Sequence, residues 1–274
     1  MFPNVVRRSG GALYLALALV IATPAFPHDL WIVPGKFVIQ PGEKVRVFIN
    51  SGDGFPVSDA LVNVARIESL TFHSTSSGEN RVTGFVADGK SLTAEITASE
   101  PGTAALALAL EPHLIRLKPE EFNQYLVGEG LTQLAKLREA LGESEEPAVE
   151  RYTKWAKALL IVGDQPDELW SRPTGLKMEI VPQAPPRALR RGATLPVVVL
   201  FEGKPLPDVT IVGGRAGTPA HRVRAVTDPD GEASVVLEEA GRWYLRALHV
   251  IRLQDDPQAD WESFWTTITF EVQV

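Results

Sequence analysis

Cysteine is absent from the 274-residue sequence, and methionine occurs only twice. The lack of cysteine excludes disulfide bonds, thiolate metal ligands, cysteine nucleophiles and a lipid anchor attached through a cysteine. An exported protein of this composition must therefore be held together by its hydrophobic core. A chain of this length is large enough to bury such a core.

Basic residues are fewer than acidic ones, with 27 Lys and Arg against 34 Asp and Glu, and the formal net charge is −7. Nucleic-acid binding relies on clustered Lys and Arg that neutralise phosphates, so the composition argues against a nucleic-acid partner. The sequence contains no His-Glu-x-x-His, Gly-x-Ser-x-Gly or paired-cysteine motif. We therefore expect a protein that is not an enzyme.

The N-terminus has the layout of a secretory signal peptide. Arg7 and Arg8 form a positive segment, residues 12–22 are apolar and uncharged, and residues 23–25 supply small side chains for cleavage after Ala25. The apolar run is shorter than the roughly 20 residues that a membrane span needs. We expect residues 1–25 to be a signal peptide, the mature protein to be periplasmic, and no membrane span to remain after signal removal. The alternative is an uncleaved N-terminal anchor.

Both ends of the mature chain have the pattern of antiparallel β structure. Val45, Val47 and Ile49 alternate with polar residues, and Gly-Pro turns interrupt the other apolar runs as far as residue 118. Seven further strand patterns occupy residues 176–181, 193–201, 208–212, 222–227, 232–237, 242–252 and 264–274. We predict a mainly β protein, with one β-sandwich domain at residues 26–118 and an immunoglobulin-like sandwich at residues 175–274.

The segment between these two regions has apolar residues at helical spacing. Residues 119–141 begin with a proline and two glutamates, which is typical of a helix start, and Gly128 and Gly130 interrupt the pattern. Residues 147–162 place Tyr152, Trp155 and Leu159 on one side of a second predicted helix. We therefore predict a helical hairpin and linker over residues 119–174, between the two β domains.

Several short segments, taken in order, are similar to those of one known family. They are His28-Asp29-Leu30-Trp31 after the signal peptide, and then EFNQYL at 121–126, GKPL at 203–206, TDPDG at 227–231, GRW at 241–243 and DWES at 260–263. Together they resemble the domain-of-unknown-function family 4198, formerly grouped with NikM-like periplasmic components of nickel and cobalt uptake. The resemblance implies export, a β-rich fold and a connection with metal uptake.

Histidine is the first place to look for metal ligands, because a transition-metal site without cysteine needs imidazole and carboxylate groups. Of the five histidines, His28 stands close to the predicted mature N-terminus and is followed by Asp29. Pro27 lacks an amide proton and so removes one donor from a square-planar N-terminal site. We predict that His28 and Asp29 contribute to a site closed by other residues. The alternative is that His28 is an ordinary surface residue of the first strand.

His249 is the second candidate. Alternation places it on one strand face with four apolar residues: Trp243, Leu245, Ala247 and Ile251. One interpretation makes it a core histidine; the other pairs it with Asp260 or Glu262, which follow the next turn. The predicted metal ligands are therefore His28, Asp29, His249, Asp260 and Glu262. The other histidines, His73, His113 and His221, are expected in loops or at the surface.

Two functional hypotheses follow. The first is a periplasmic binding protein for a divalent transition metal (nickel, cobalt or copper), which serves an uptake system and meets its membrane component or another envelope protein. The second is a non-enzymatic structural or protein-interaction module of the cell envelope. The three tryptophans Trp243, Trp261 and Trp265 favour core packing over carbohydrate stacking.

Overall fold

The structure is a computed structural model that describes residues 28–75 and 78–274. The predicted signal peptide lies outside these residues. Within them the strands are β1 Asp29–Pro34, β2 Val38–Ile39, β3 Glu43–Gly52, β4 Ile67–Ser74, β5 Gly78–Arg81, β6 Val86–Asp88, β7 Ser91–Ala98, β8 Gly102–Leu110, β9 His113–Leu117, β10 Ala148–Val162, β11 Met178–Pro182, β12 Ala193–Phe201, β13 Lys204–Pro205, β14 Thr210–Arg215, β15 Val223–Val226, β16 Glu232–Leu237, β17 Gly241–Arg252 and β18 Trp261–Val272. The helices are α1 Pro119–Gly128 and α2 Thr132–Ala140.

These strands form three sheets. A ten-stranded central sheet has the order β15-β14-β17-β18-β10-β8-β4-β5, with β2 and β9 also paired to β10. A four-stranded N-terminal sheet has the order β1-β3-β7-β6, and in the C-terminal sheet β11, β13 and β16 all pair with β12. Neighbouring strands are antiparallel, except that β10 runs parallel to β18 and to β2. The prediction of a mainly β protein built from antiparallel sheets is confirmed.

The central sheet is covered on both faces. Leu106 and Leu108 of β8 face a core that also contains Val45, Val47 and Ile49 of the N-terminal sheet, as the alternation predicts. Trp155 and Leu159 of β10 face the opposite core, beside Leu195, Val197 and Val199 of the C-terminal sheet. The central sheet takes strands from both predicted β domains, and so the two sandwiches share one continuous layer.

All seven strands predicted in the C-terminal region are present. The patterns at 193–201 and 232–237 match β12 and β16 in both bounds, and the other five differ by at most three residues at either end. The turn at Asp228 is closed by its own carboxylate, which accepts hydrogen bonds from the amides of Asp230 and Glu232.

The predicted second helix at 147–162 is wrong, because this segment is the strand β10, 15 residues long. Its neighbours β8 and β18 and the two outer sheets bury it on both faces, so it shows no alternation between apolar and polar residues. Nine of its 15 residues are alanine, leucine, lysine, glutamate or arginine, which favour helices, and tertiary packing overrides that preference. Glu150, Lys154 and Lys157 in this strand are buried.

The helical hairpin itself exists, but it is formed by α1 and α2. Gly130 between them has φ of 79°, a left-handed conformation that favours glycine. Phe122, Tyr125 and Leu126 of α1 are buried against the central sheet, in a core with both Trp261 and Trp265. Neither helix in the described parts of the chain is long and apolar enough to cross a membrane.

Candidate metal centre and adjoining cleft

One histidine and two aspartates meet at the start of β1. A ligand atom from each of His28, Asp53 and Asp59 lies within 4.8 Å of the others, and His28 Nδ1 is 2.7 Å from Asp53 Oδ1. Within residues 28–75 and 78–274, no other group of three or more His, Asp or Glu side chains is so arranged. The pairing of β1 with β3 sets Asp29 opposite Gly52, so the residues just outside that pair, His28 and Asp53, become neighbours.

The two aspartates belong to one turn that folds back on the end of β3. The Asp59 amide donates to the Ser51 carbonyl oxygen at 2.7 Å, and Asp59 Oδ2 accepts from the Asp53 amide at 3.0 Å. A Cβ at Gly52 would lie 2.5 Å from the Val57 carbonyl oxygen and 2.7 Å from Asp59 Oδ2. Glycine is therefore required for the turn to bring the second carboxylate beside the first.

An aromatic contact fixes the middle of the same turn. Phe55 is buried, with its ring centroid 5.6 Å from that of Trp31 and 5.0 Å from that of Tyr244. Aromatic pairs at these separations contribute roughly 0.5–1.5 kcal/mol beyond the burial of their area. The exposed carboxylates thus project from a turn that is anchored in the core.

Arg246 on β17 lies under this surface, with its side chain 2% exposed. Its Nε is 3.2 Å from Asp29 Oδ1, and its Nη2 is 2.7 Å from Glu129 Oε2 and 3.2 Å from His221 Nε2. These partners come from β1, from the residue that follows α1, and from the loop between β14 and β15. One guanidinium therefore joins three segments to the central sheet.

The charges in this network stabilise one another. Burial alone raises the pKa of Asp29, but the charge of Arg246 and the contact with His221 lower it below its usual value. Burial lowers the pKa of Arg246, whereas Asp29 and Glu129 raise it, and the net direction is upward. Asp29 and Arg246 are therefore a charged pair at neutral pH.

Lys154 of β10 lies beneath His28 and the candidate metal ligands. Its Nζ donates to the carbonyl oxygen of His28 and lies 5.6 Å from the centre of the Trp265 ring. Burial lowers the pKa of Lys154 to about 8, although the Asp29 carboxylate acts in the opposite direction.

The lowered pKa of Lys154 predicts that the stability of the protein changes with pH in the alkaline range. The pKa of Lys154 is about 8 in the folded protein, and its ordinary value, which applies in the unfolded chain, is 10.5. Between these two pH values the unfolded chain therefore binds more protons than the folded protein. The free energy of unfolding should therefore rise from pH 8 towards pH 10, by at most about 3 kcal/mol. Above pH 10, Tyr244 opposes the rise, because burial raises its pKa to about 12. Urea unfolding of the native protein and of Lys154→Met at pH 7 to 10 measures the difference. An equal rise in the variant would show that another group causes it.

A cleft of about 290 Å³ adjoins the candidate metal ligands. Asp53 lines the cleft as well as belonging to the group of ligands, so the two features are contiguous. Tyr125 and Trp265 form an apolar wall, with stacked rings whose centroids are 6.0 Å apart. Arg246 also lines the cleft, and its Nη1 has no hydrogen-bond partner among the described residues.

The structure separates His249 from the N-terminal pair His28 and Asp29. Along β17, Arg246 faces Asp29, whereas His249 points to the opposite face of the sheet, among the residues of the C-terminal core. Its ring centroid is 5.3 Å from that of Phe201 and 6.0 Å from that of Phe264. Burial lowers the pKa of His249. These contacts agree with the interpretation of His249 as a core histidine.

The two predicted carboxylates differ in their surroundings. Asp260 Oδ2 accepts a hydrogen bond from the Val149 amide at 2.8 Å, so it fixes the turn against β10. Glu262 lies opposite Ile251 in the β17–β18 pairing and therefore shares a sheet face with His249. It lines a separate cleft with Trp155 and Lys177.

Sequence reasoning missed Asp53, Asp59 and Arg246. The sequence shows the aspartates only as part of a turn rich in glycine and proline, and their closeness to His28 depends on the register of β1 with β3. His221, expected to be an ordinary surface residue, borders the cleft with a left-handed φ of 58°. The three tryptophans Trp243, Trp261 and Trp265 are buried, as predicted.

The fold and site define a mainly β protein with a surface group of metal-ligand type beside a cleft. The chain matches the family described as Domain of unknown function (DUF4198) over residues 25–251 and belongs to that family. The resemblance to the domain-of-unknown-function family 4198 is thereby confirmed, and the family description names neither an activity nor a NikM-like role.

Among solved structures, similar chains include two from bacterial adhesins and one from intimin. The D0-D1 domain of intimin is 11% identical, with a TM-score of 0.21, and the match covers 88% of this chain and 97% of that one. The Yersinia pseudotuberculosis adhesin InvE is 13% identical, with a TM-score of 0.21 and coverage of 88% and 58%. The Escherichia coli adhesin FdeC is 13% identical, with a TM-score of 0.23 and coverage of 90% and 64%. This chain thus spans less than two thirds of either adhesin chain. No curated protein matches it.

Proposed function

We propose that the mature protein is an exported, periplasmic, non-enzymatic binding protein whose ligand is a divalent transition metal. The observation that carries this proposal is the convergence of His28, Asp53 and Asp59 within 4.8 Å. Two ligands on opposite sides of an ion lie about 4 to 5 Å apart when each bond is about 2.0–2.4 Å long, so these separations suit a metal. Of the ligands predicted from the sequence, His28 belongs to this group, whereas Asp29 is paired with Arg246. Asp53 and Asp59 take the places that the sequence analysis gave to His249, Asp260 and Glu262.

The donor set bears on which metals suit the site. One imidazole and two carboxylates favour copper, nickel, cobalt or zinc over soft ions that prefer sulfur, and copper should bind most tightly of the four. The carboxylates are exposed, so an ion can enter without rearrangement of the core. Delivery to a membrane component of a metal-uptake system is the role that we propose for such a site in the periplasm.

Calorimetric titration of the mature protein without a histidine tag tests this proposal. Copper, nickel, cobalt and zinc should each be titrated, and we expect one ion per molecule. His28→Ala, Asp53→Asn and Asp59→Asn should each weaken binding by at least about tenfold, because each removes one of three ligands.

His113→Ala and Asp230→Asn are matched controls, since both residues are exposed and lie outside the group. Their affinities should equal that of the native protein. If none of the four ions binds, or if the controls lose as much affinity as the ligand variants, the metal proposal is contradicted. The interaction module would then be the remaining candidate.

A further inference from the structure

The cleft that contains Glu262 is strongly acidic. Its volume is about 530 Å³, and four carboxylates, those of Glu68, Glu79, Glu111 and Glu262, line it with one ammonium group, that of Lys177, which leaves three negative charges in excess. Within residues 28–75 and 78–274, none of these four carboxylates forms an ion pair. Such an excess attracts a cation into the cleft.

The basic side chains of this region do not neutralise the four glutamates. The ammonium group of Lys177 lies 3.5 Å from Glu202 Oε1 and 4.8 Å from the centre of the Phe264 ring. Three arginines donate to Asp256 or to main-chain carbonyl oxygens instead: Arg66, Arg81 and Arg151. The four carboxylates therefore remain available to a positively charged ligand.

The spacing of the carboxylates favours an extended cation over a single metal ion. Among the described residues, the group at His28 is the one set of three or more ligand atoms that lie within 4.8 Å of one another, so the glutamates of this cleft are farther apart. A water molecule occupies roughly 30 Å³ in the liquid, which is a small part of the cleft volume. A molecule that carries several separated positive charges matches this arrangement.

The floor of the cleft adds a hydrogen-bond acceptor and an apolar surface. Thr153 of β10 is 5% exposed and lines the cleft, and its hydroxyl has no hydrogen-bond partner in the described part of the chain. Its oxygen is not among the fully enclosed unpaired atoms, so a ligand N–H can reach it from the cleft. Trp155 and Leu176 line the same cleft and offer apolar surface to methylene groups.

We propose that this second cleft binds a linear polyamine. Its separate ammonium groups lie beside the glutamates, one N–H donates to the Thr153 hydroxyl, and the methylene segments lie against Trp155 and Leu176. The site is independent of the proposed metal function, because none of its lining residues belongs to the group of His28, Asp53 and Asp59.

Calorimetric titration of the mature, metal-free protein with spermidine at low ionic strength tests this inference. We expect one spermidine per molecule, and butylamine, which has a single charge, should bind at least about tenfold more weakly. Magnesium ions at the same concentration as spermidine should not displace it. Absence of spermidine binding, equal affinity for butylamine, or displacement by an equal concentration of magnesium would overturn the inference.

Two kinds of variant locate the binding. Glu111→Gln combined with Glu262→Gln should weaken spermidine binding at least about fivefold, whereas Glu232→Gln, at an exposed position outside the cleft, should leave it unchanged. 

Thr153→Val keeps the shape of the side chain and removes its hydroxyl, and it should weaken binding about threefold to tenfold. Thr194→Val, on the exposed face of β12, is the matched control and should have no effect. Binding that depends on the glutamates but is unchanged in Thr153→Val would show attraction to an acidic surface only, and would contradict the proposed site.

Discussion

Replacing Glu179 by alanine should lower the free energy of unfolding by about 3–5 kcal/mol. Glu179 Oε1 lies 2.6 Å from Lys157 Nζ, and each side chain is 1% exposed. The same carboxylate accepts hydrogen bonds from the amide and hydroxyl of Thr174. The substitution leaves the Lys157 ammonium buried between the central and C-terminal sheets with its carboxylate removed. Urea unfolding at pH 7 gives the difference.

Two further variants show whether the burial of the charge causes the loss. Lys157→Met combined with Glu179→Met removes both charges and should recover most of the stability, because an apolar pair is often as stable as a buried ion pair. Glu238→Ala breaks an exposed pair with Arg222 and should cost less than about 1 kcal/mol. A loss for Glu179→Ala no greater than that for Glu238→Ala would contradict the assignment of a buried pair.

Replacing Arg246 by methionine should also cost about 3–5 kcal/mol, because it leaves the buried carboxylate of Asp29 without its cation. The loss should be accompanied by a change in the near-ultraviolet circular dichroism. Trp265 and Tyr125 lie against the guanidinium and the end of α1, and their fixed packing depends on the same contacts.

Arg246→Lys tests whether the planar, forked guanidinium group of Arg246 contributes to stability beyond its charge. Lysine keeps the charge but presents a single ammonium, so it cannot reproduce the separate contacts to Asp29, Glu129 and His221. We expect an intermediate loss. Arg242→Met on the same strand, where one nitrogen donates to the Gly35 carbonyl oxygen, is the control and should cost about 1 kcal/mol. Equal losses at positions 242 and 246 would show that the network has no special role.

Strands with only one face in the core could be predicted from their alternation of apolar and polar residues. β12 alternates Leu195, Val197 and Val199 with more exposed residues, and its bounds were predicted in full. β10 could not be recognised in the same way. Its buried polar residues have partners on other elements, as Lys157 has Glu179, and those partners are unknown before the fold is.

The site was predictable only in part, for a related reason. His28 stood out because of its place after the predicted signal peptide, whereas Asp53 and Asp59 lie 25 and 31 positions away and reach it through strand pairing and a tight turn. His249 had the same residue type and an alternating strand around it. Its face of β17 was fixed by the packing of the C-terminal sheet, which local spacing does not reveal.

Anomalous diffraction from crystals of the mature protein grown with zinc tests the central claim most directly. The account predicts one strong anomalous peak about 2.0–2.3 Å from a ring nitrogen of His28 and from carboxylate oxygens of Asp53 and Asp59. A peak at His249 and Glu262 instead, or no peak in crystals saturated with zinc, would contradict it.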